Sequence, residues 1–261
     1  MKNLKVTLVQ SAIEWQNIEA NLLHFKSLIS GIGDTTDLII LPEMFTTGFT
    51  MAPEGIAEGM NGKAVSAIKE WSSTSGADIT GSIIVKENNR YFNRIIWAKP
   101  DGAIFTYDKR HLFRMAGEEK VYSPGDSLLT VNLHGWRIRP FICYDLRFPV
   151  WTRNAGTEYD LAVFTASWPA ARELHWTTLL HARAIENQCY VAGVNRTGSD
   201  GNGVHYNGKT SMIDFYGNTL FQGDESECVH TVELSYNDLI HYRKSFPAWM
   251  DSDRFELVYN I

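Results

Sequence analysis

The chain has 261 residues, enough for one large domain with a continuous core. Its 44% hydrophobic and 21% charged residues are ordinary globular composition and exclude a disordered chain. A net charge of −6 argues against a nucleic-acid partner, which would need a basic face, and no apolar run reaches the ~18–20 residues of a membrane helix.

LKVTLVQ (4–10) is apolar and β-branched and predicts a first strand; no apolar stretch with a cleavage site marks a secretory leader. Residues 18–30 carry Ile18, Leu22, Phe25 and Ile29 at steps of four, three and four, the stripe of an amphipathic helix. DLIILPE (37–43) reads as a buried strand stopped by Pro42, and a helix over 63–75 ends at Gly76. ADITGSIIVKE, YFNRIIWAKP and AIFTYDK, separated by ENN and PDG, predict adjacent antiparallel strands. WRIRPFICYD (136–145) and LAVFTAS (161–167) are further strands, with a helix expected over 149–156 between them. A long helix over 171–187 precedes CYVAGVNRTG; TSMIDFYGNTL and CVHTVEL complete the sheet material, and SYNDLIHYRKS is a short terminal helix. Buried strands alternating with helices, plus a meander, give layered α/β with mixed sheets. With no linker or repeat, the chain divides into a domain over 1–235 and a helix and tail over 236–261. The tail's Phe246, Trp249, Phe255, Leu257 and Tyr259 must dock on their own domain or on a partner.

Three cysteines, Cys143, Cys189 and Cys228, are odd in number and widely spaced, so neither disulfides nor a metal knuckle follows, and a reducing cytoplasmic setting fits. The eight histidines lack ligand spacing, and GSDGNG (198–203) lacks the phosphate-loop lysine. No metal or cofactor is expected. Cys189 lies in an apolar run and reads as core; Cys228 has no matching motif.

Three reactive residue types fall where strands end, the place where α/β proteins gather function. Glu43 follows DLIILP, Lys109 follows IFTYD, and Cys143 lies near the end of WRIRPFICYD. Singly, each is equally a solvated or a packing residue. Together, LPEMFTTGF (41–49), YDKRHLF (107–113) and ICYDLRFP (142–149) resemble the nitrilase, or carbon–nitrogen hydrolase, superfamily at three stations in order. The likeness runs over about 4–234. The runs DKRHLFRMAGE, CYDLRFPVWTRN, HARAIENQ, NRTGSDGNG and FPAW look like its bacterial omega-amidases, which remove ammonia from the amide of short 2-oxo acids.

The resemblance implies a four-layer αββα sandwich, a homodimer, and a Glu–Lys–Cys triad, whose chemistry is coherent. Cys143 would be the nucleophile. Glu43 would take the thiol proton, hand it to departing ammonia and later activate water. Lys109, with the backbone N–H of Tyr144, would hold the oxyanion. Glu118 matches a second glutamate of the family, orienting Lys109 and bonding the amide nitrogen; its neighbour Glu119 reads as a solvated loop residue. Arg147 could pair with Asp145 or a helix-end carbonyl, or grip a substrate carboxylate bidentately. Phe45, Phe113 and Trp168 are pocket walls or plain core. The reaction implied is ammonia release from 2-oxoglutaramate or 2-oxosuccinamate. The alternative is an amidase of deaminated glutathione, or of another carboxylate-bearing amide or carbamoyl substrate. A true nitrilase usually carries Trp-Glu after the cysteine, where this chain has Tyr144-Asp145. A Cys–His hydrolase would leave Lys109 unexplained, and a binding scaffold need not keep all three groups.

Overall fold

Fourteen strands and four α-helices make up the computed structural model, which describes residues 1–33, 35–253 and 255–257. Strands β1 (Leu4–Gln10), β2 (Leu38–Ile40), β3 (Asp78–Glu87), β4 (Arg90–Ala98), β5 (Ile104–Asp108) and β14 (Cys228–Leu234) form one mixed sheet, ordered β14-β1-β2-β3-β4-β5. Strands β6 (Val131–Leu133), β7 (Trp136–Ile142), β8 (Leu161–Ala166), β9 (Tyr190–Asn195), β12 (Ser211–Ile213) and β13 (Thr219–Gln222) form the second, ordered β6-β7-β8-β9-β12-β13. Strands β10 (Thr197–Ser199) and β11 (His205–Asn207) make a separate hairpin.

Read in those orders, both sheets pair antiparallel, parallel, parallel, antiparallel, antiparallel. The pairing order repeats although the sequence shows no repeat. Alternation along each strand then sets the layers. Leu4, Val6, Leu8 and Trp97 of the first sheet meet Trp136, Ile138, Leu161 and Val194 of the second in a core between the sheets. The opposite faces carry Val9, Ile39, Ile79 and Ile96, under α1 (Ile18–Ser30) and α2 (Lys63–Ser75), and Phe164, Val191 and Ile213, under α3 (Glu173–Asn187). This is the αββα sandwich.

Local chemistry fixes the ends. The Asn17 side chain caps α1 by accepting from Ala20 N–H at 3.2 Å, and α2 stops at Gly76 with φ +70°, where a side chain would be strained. The α1 stripe differs from expectation. Ile18 and Leu22 are only half-buried, while Asn21 is buried because its amide donates to the carbonyls of Glu14 and Thr46, each at 2.8 Å. That bond ties α1 to the segment after Glu43.

The helix expected over 149–156 is absent. Gly156 takes φ +61°, and the Asn154 side chain bonds the main chain of Tyr159 and Asn187 instead of solvent. A 3-10 turn over Cys143–Arg147 precedes the segment and another over Ala155–Thr157 ends it.

Helix α4 (Tyr236–Ser245) docks on its own domain. Leu239 enters the inter-sheet core, and Arg243 pairs with Asp160 at 2.7 Å. Trp249 N–H donates to Gln188 at 3.0 Å, whereas Phe246, Phe255 and Leu257 stay exposed. Tyr259 lies outside the described residues.

Candidate active site

Two strand ends bring the reactive groups together. Parallel strands β2 and β8 lie near the middle of their sheets, and beyond them Glu43 N–H donates to Ala166 O at 3.4 Å while Ser167 N–H donates to the Glu43 carboxylate at 2.8 Å. The backbone turns sharply there. Met44, next to Glu43, has φ +45° and Cys143 has φ +41°, left-handed conformations costly for side-chain-bearing residues.

Lys109 follows β5 and is wholly buried, as are Glu43 and Glu118. Its Nζ donates to Glu43 Oε1 at 2.9 Å and to both oxygens of Glu118, at 2.9 and 3.1 Å. Asn93 on β4 donates to Glu43 at 2.8 Å and to Glu118 at 3.4 Å. Burial alone would strip the lysine of its proton, but Glu118 and Glu43 hold its pKa above the usual lysine range. Burial raises the Glu118 carboxyl, against the pull of Lys109. The Cys143 thiol is pushed well above its ordinary value, first by burial and then by the Glu43 charge, with Lys109 and the Ser167 N–H opposing. The same causes favour the neutral thiol over a resting thiolate.

Cys143, Glu43, Lys109, Tyr144, Arg147, Phe113 and Trp168 line one cavity of about 820 Å³. Glu118 lies behind Lys109 and is not among its walls. Its oxygens accept from Lys109, from Asn93 and, at 2.6 Å, from Phe113 N–H. Glu118, not Glu119, meets the lysine; Glu119 is half-buried rather than solvated, with one carboxylate oxygen enclosed and unpartnered. Phe45 is core, packed edge-on against Phe25 with centroids 5.2 Å apart, and is not in the wall of this cavity. Phe49 takes that place, its ring 5.0 Å from Lys109 Nζ.

Asp145 does not pair with Arg147. Buried, it accepts from Tyr107 Oη at 2.7 Å, His111 N–H at 2.9 Å and Ile142 N–H at 3.1 Å, locking the Cys143 turn to the loop after Lys109. Arg147 is half-buried over the Trp168 ring at 4.8 Å, with Nη2 3.0 Å from His175 Nδ1 and no carboxylate partner among the described residues.

The carbon-nitrogen hydrolase family model matches residues 5–244. The chain belongs to that family. This hydrolase is 47% identical to omega-amidase YafV of Yersinia enterocolitica over 99% of its own length and all of that protein's. It is 32% identical to 2-oxoglutaramate amidase of Bacillus subtilis over 94% of its own length and 96% of the other. A CN-hydrolase superfamily structure from Xanthomonas campestris, with an arsenic adduct in its active site, superposes with TM-score 0.97 at 44% identity, covering 99% of this chain and all of that one.

Sequence reasoning missed several parts of the hydrolase's site. Asn93 was legible only as a polar residue inside the apolar run YFNRIIWA. Trp15, Gln16 and Arg172 also line the cavity without a motif. The GSDGNG run, set aside as no nucleotide loop, supplies Asp200 and Asn202 to the wall through the β10–β11 hairpin, with Tyr206 beside them. Cys189 is fully buried, its thiol raised to about 12 by burial, and Cys228 opens β14 half-buried. Among the described residues no group of three or more His, Cys, Asp or Glu side chains could hold a metal, and no helix is long and apolar enough to cross a membrane.

Proposed function

We infer that this hydrolase releases ammonia from the terminal amide of short 2-oxo dicarboxylic acid monoamides, 2-oxoglutaramate and 2-oxosuccinamate, through a cysteine thioester. The observation that carries the reading is the one cavity in which Cys143, Glu43 and Lys109 meet Arg147, which has no carboxylate partner among the described residues. Relatives named for omega-amides and 2-oxoglutaramate support the substrate class.

The substrate carboxylate pairs with Arg147, which sets the reach to the amide. Cys143 gives its proton to Glu43 as sulfur bonds to the amide carbon, so the cluster's net charge stays constant while the nucleophile forms. The negative charge moves onto the amide oxygen, where Lys109 and the Tyr144 N–H receive it. Glu118 and Asn93 hold Lys109 and Glu43 in register. Glu43 then protonates the nitrogen, the C–N bond breaks and ammonia leaves. Water attacks the thioester as Glu43 takes its proton, and the C–S bond breaks with the proton returned to Cys143. The second carboxylic acid is released.

Ammonia release from 2-oxoglutaramate, 2-oxosuccinamate, glutamine, a carbamoyl amino acid and a nitrile tests the reading; preference for any of the last three overturns it. A protein mass increase matching an acyl group on Cys143 after rapid quench tests the thioester.

A cytoplasmic homodimer belongs to the same reading. Ile185, Tyr216, Leu220 and Phe246 are exposed around the outer face of α3, where Tyr216 and Phe246 both neighbour Tyr242 and His181 reaches Thr219 at 3.0 Å. Sedimentation equilibrium showing a monomer at micromolar concentration would refute the dimer.

A further inference from the structure

Arg172 ends the 3-10 turn over Ala170–Arg172 that leads into α3, and it lines the same cavity as Cys143 and Arg147. Its main chain is fixed at both ends: its N–H donates to Pro169 O at 2.9 Å, and its carbonyl accepts the Trp168 indole N–H at 2.9 Å. Its guanidinium lies over the Phe113 ring, 5.3 Å from the centroid, and the Phe113 N–H is itself held by Glu118. Trp168 therefore touches both arginines, one on its ring face and the other through its N–H.

Five arginines, Arg94, Arg137, Arg139, Arg183 and Arg243, have carboxylate partners. Arg172, like Arg147, has none among the described residues. Besides Glu43, Asp200 is the acid in the cavity wall, and its carboxylate is taken by the Tyr206 hydroxyl and the N–H groups of Asn202 and Val204 at 2.8–3.0 Å. Two half-buried guanidiniums thus share a cavity, and neither is paired with a carboxylate among the described residues. Stacking on an aromatic face leaves a guanidinium's N–H edge available to a ligand. A 2-oxo acid end presents three acceptors in a plane, two carboxylate oxygens and the keto oxygen, and one guanidinium fork satisfies two.

We propose that Arg172 supplies the second fork, so that Arg147 and Arg172 together clamp the 2-oxo-carboxylate end while the amide lies at Cys143. The inference rests on the omega-amidase reading above. It is tested by steady-state ammonia release from 2-oxoglutaramate and from pentanamide, which lacks both oxygen functions, with Arg172→Ala, Arg172→Lys, Arg147→Ala and Arg147→Ala/Arg172→Ala. Binding of 2-oxoglutarate to Cys143→Ala and to Cys143→Ala/Arg172→Ala, by calorimetry, is the second readout. Arg172→Ala should lower kcat/KM on 2-oxoglutaramate about tenfold or more relative to pentanamide, chiefly through KM, as loss of a charged hydrogen bond does. Lysine should restore part of the loss, and the double variant should lose less than the product of the single effects. Binding of 2-oxoglutarate should weaken by a similar factor. Equal losses on both amides, or unchanged 2-oxoglutarate binding, overturn the proposal. Wild type that releases no ammonia from 2-oxoglutaramate yet hydrolyses other amides instead overturns the omega-amidase reading, and the calorimetry then still decides the role of Arg172.

Discussion

Replacing Glu43 by glutamine keeps the side chain's shape and removes its ability to accept a proton, so it isolates the base from the scaffold. Three donors converge on the carboxylate: Lys109 and Asn93 on one oxygen, at 2.9 and 2.8 Å, and Ser167 N–H on the other, at 2.8 Å. A glutamine can offer its oxygen to only one side, so its NH2 faces a buried donor on the other. Each donor left unsatisfied costs ~1–3 kcal/mol, which lowers Tm by several degrees in a chain of this size and leaves it folded at assay temperature. Loss of proton transfer should cut kcat by ~10²–10⁴-fold, equivalent to ~2.7–5.5 kcal/mol of barrier. A second measurement separates base from bystander. The Glu43 charge is one of the causes holding the Cys143 thiol neutral, so Glu43→Gln should move the midpoint of iodoacetamide alkylation to lower pH while turnover collapses. The assay pairs ammonia release with mass-spectrometric alkylation across pH, reading Cys143 separately from Cys189 and Cys228. A variant that keeps more than a tenth of wild-type kcat, or whose alkylation midpoint stays put or rises, would refute the assignment.

Lys109→Met removes the oxyanion's cation and should cost ~10²–10³-fold in kcat; combined with Glu43→Gln, the total should fall well short of the product, since the groups act as one unit. Because Lys109 is held above the ordinary lysine value, its stabilising contribution is present below ~pH 10.4 and lost as pH rises towards its raised folded value. Thermal melts of wild type should therefore drop in that alkaline window, and those of Lys109→Met should drop less. Asp145→Asn strips a charged acceptor from Tyr107, His111 and Ile142, and should lower stability by ~1–3 kcal/mol in urea melts while reducing kcat more than it raises KM. Gly125→Ala would put a methyl carbon 2.3 Å from Asp108 O, beside the bond from Gly125 N–H to Lys109 O, so both Tm and kcat should fall; an unchanged kcat would show that Lys109 does not depend on that turn.

Layering and strand ends were legible because they depend on local runs. LKVTLVQ and KAVSAIKEWSSTS fold over the ranges that their periodicity predicts. The 149–156 segment failed for the opposite reason: its conformation is decided by Asn154 reaching Asn187, a partner 33 residues away that no window contains. Site residues divide in the same way. Glu43, Lys109 and Cys143 sit in runs that mark strand ends, whereas Asn93 and Arg172 gain their meaning only from groups across the fold. Phe45 and Phe49 show the limit most plainly, since one motif carries both and only packing decides which enters the core and which lies beneath the ammonium.

Glu43 and Lys109 hang from one sheet and Cys143 from the other, and the large core between the sheets sets how far apart the sheets stand. The spacing of the two sheets is therefore also the reach of the proton transfer. A misplacement of 1 Å can cost ~10²-fold in rate, less movement than unfolding demands of a close-packed interior. Trimming Trp97 or Trp136, core residues outside the cavity wall, would act as a change of gauge between two halves of a tool. Turnover would fade along a smooth curve with cavity size or hydrostatic pressure while circular dichroism still reported an intact sandwich.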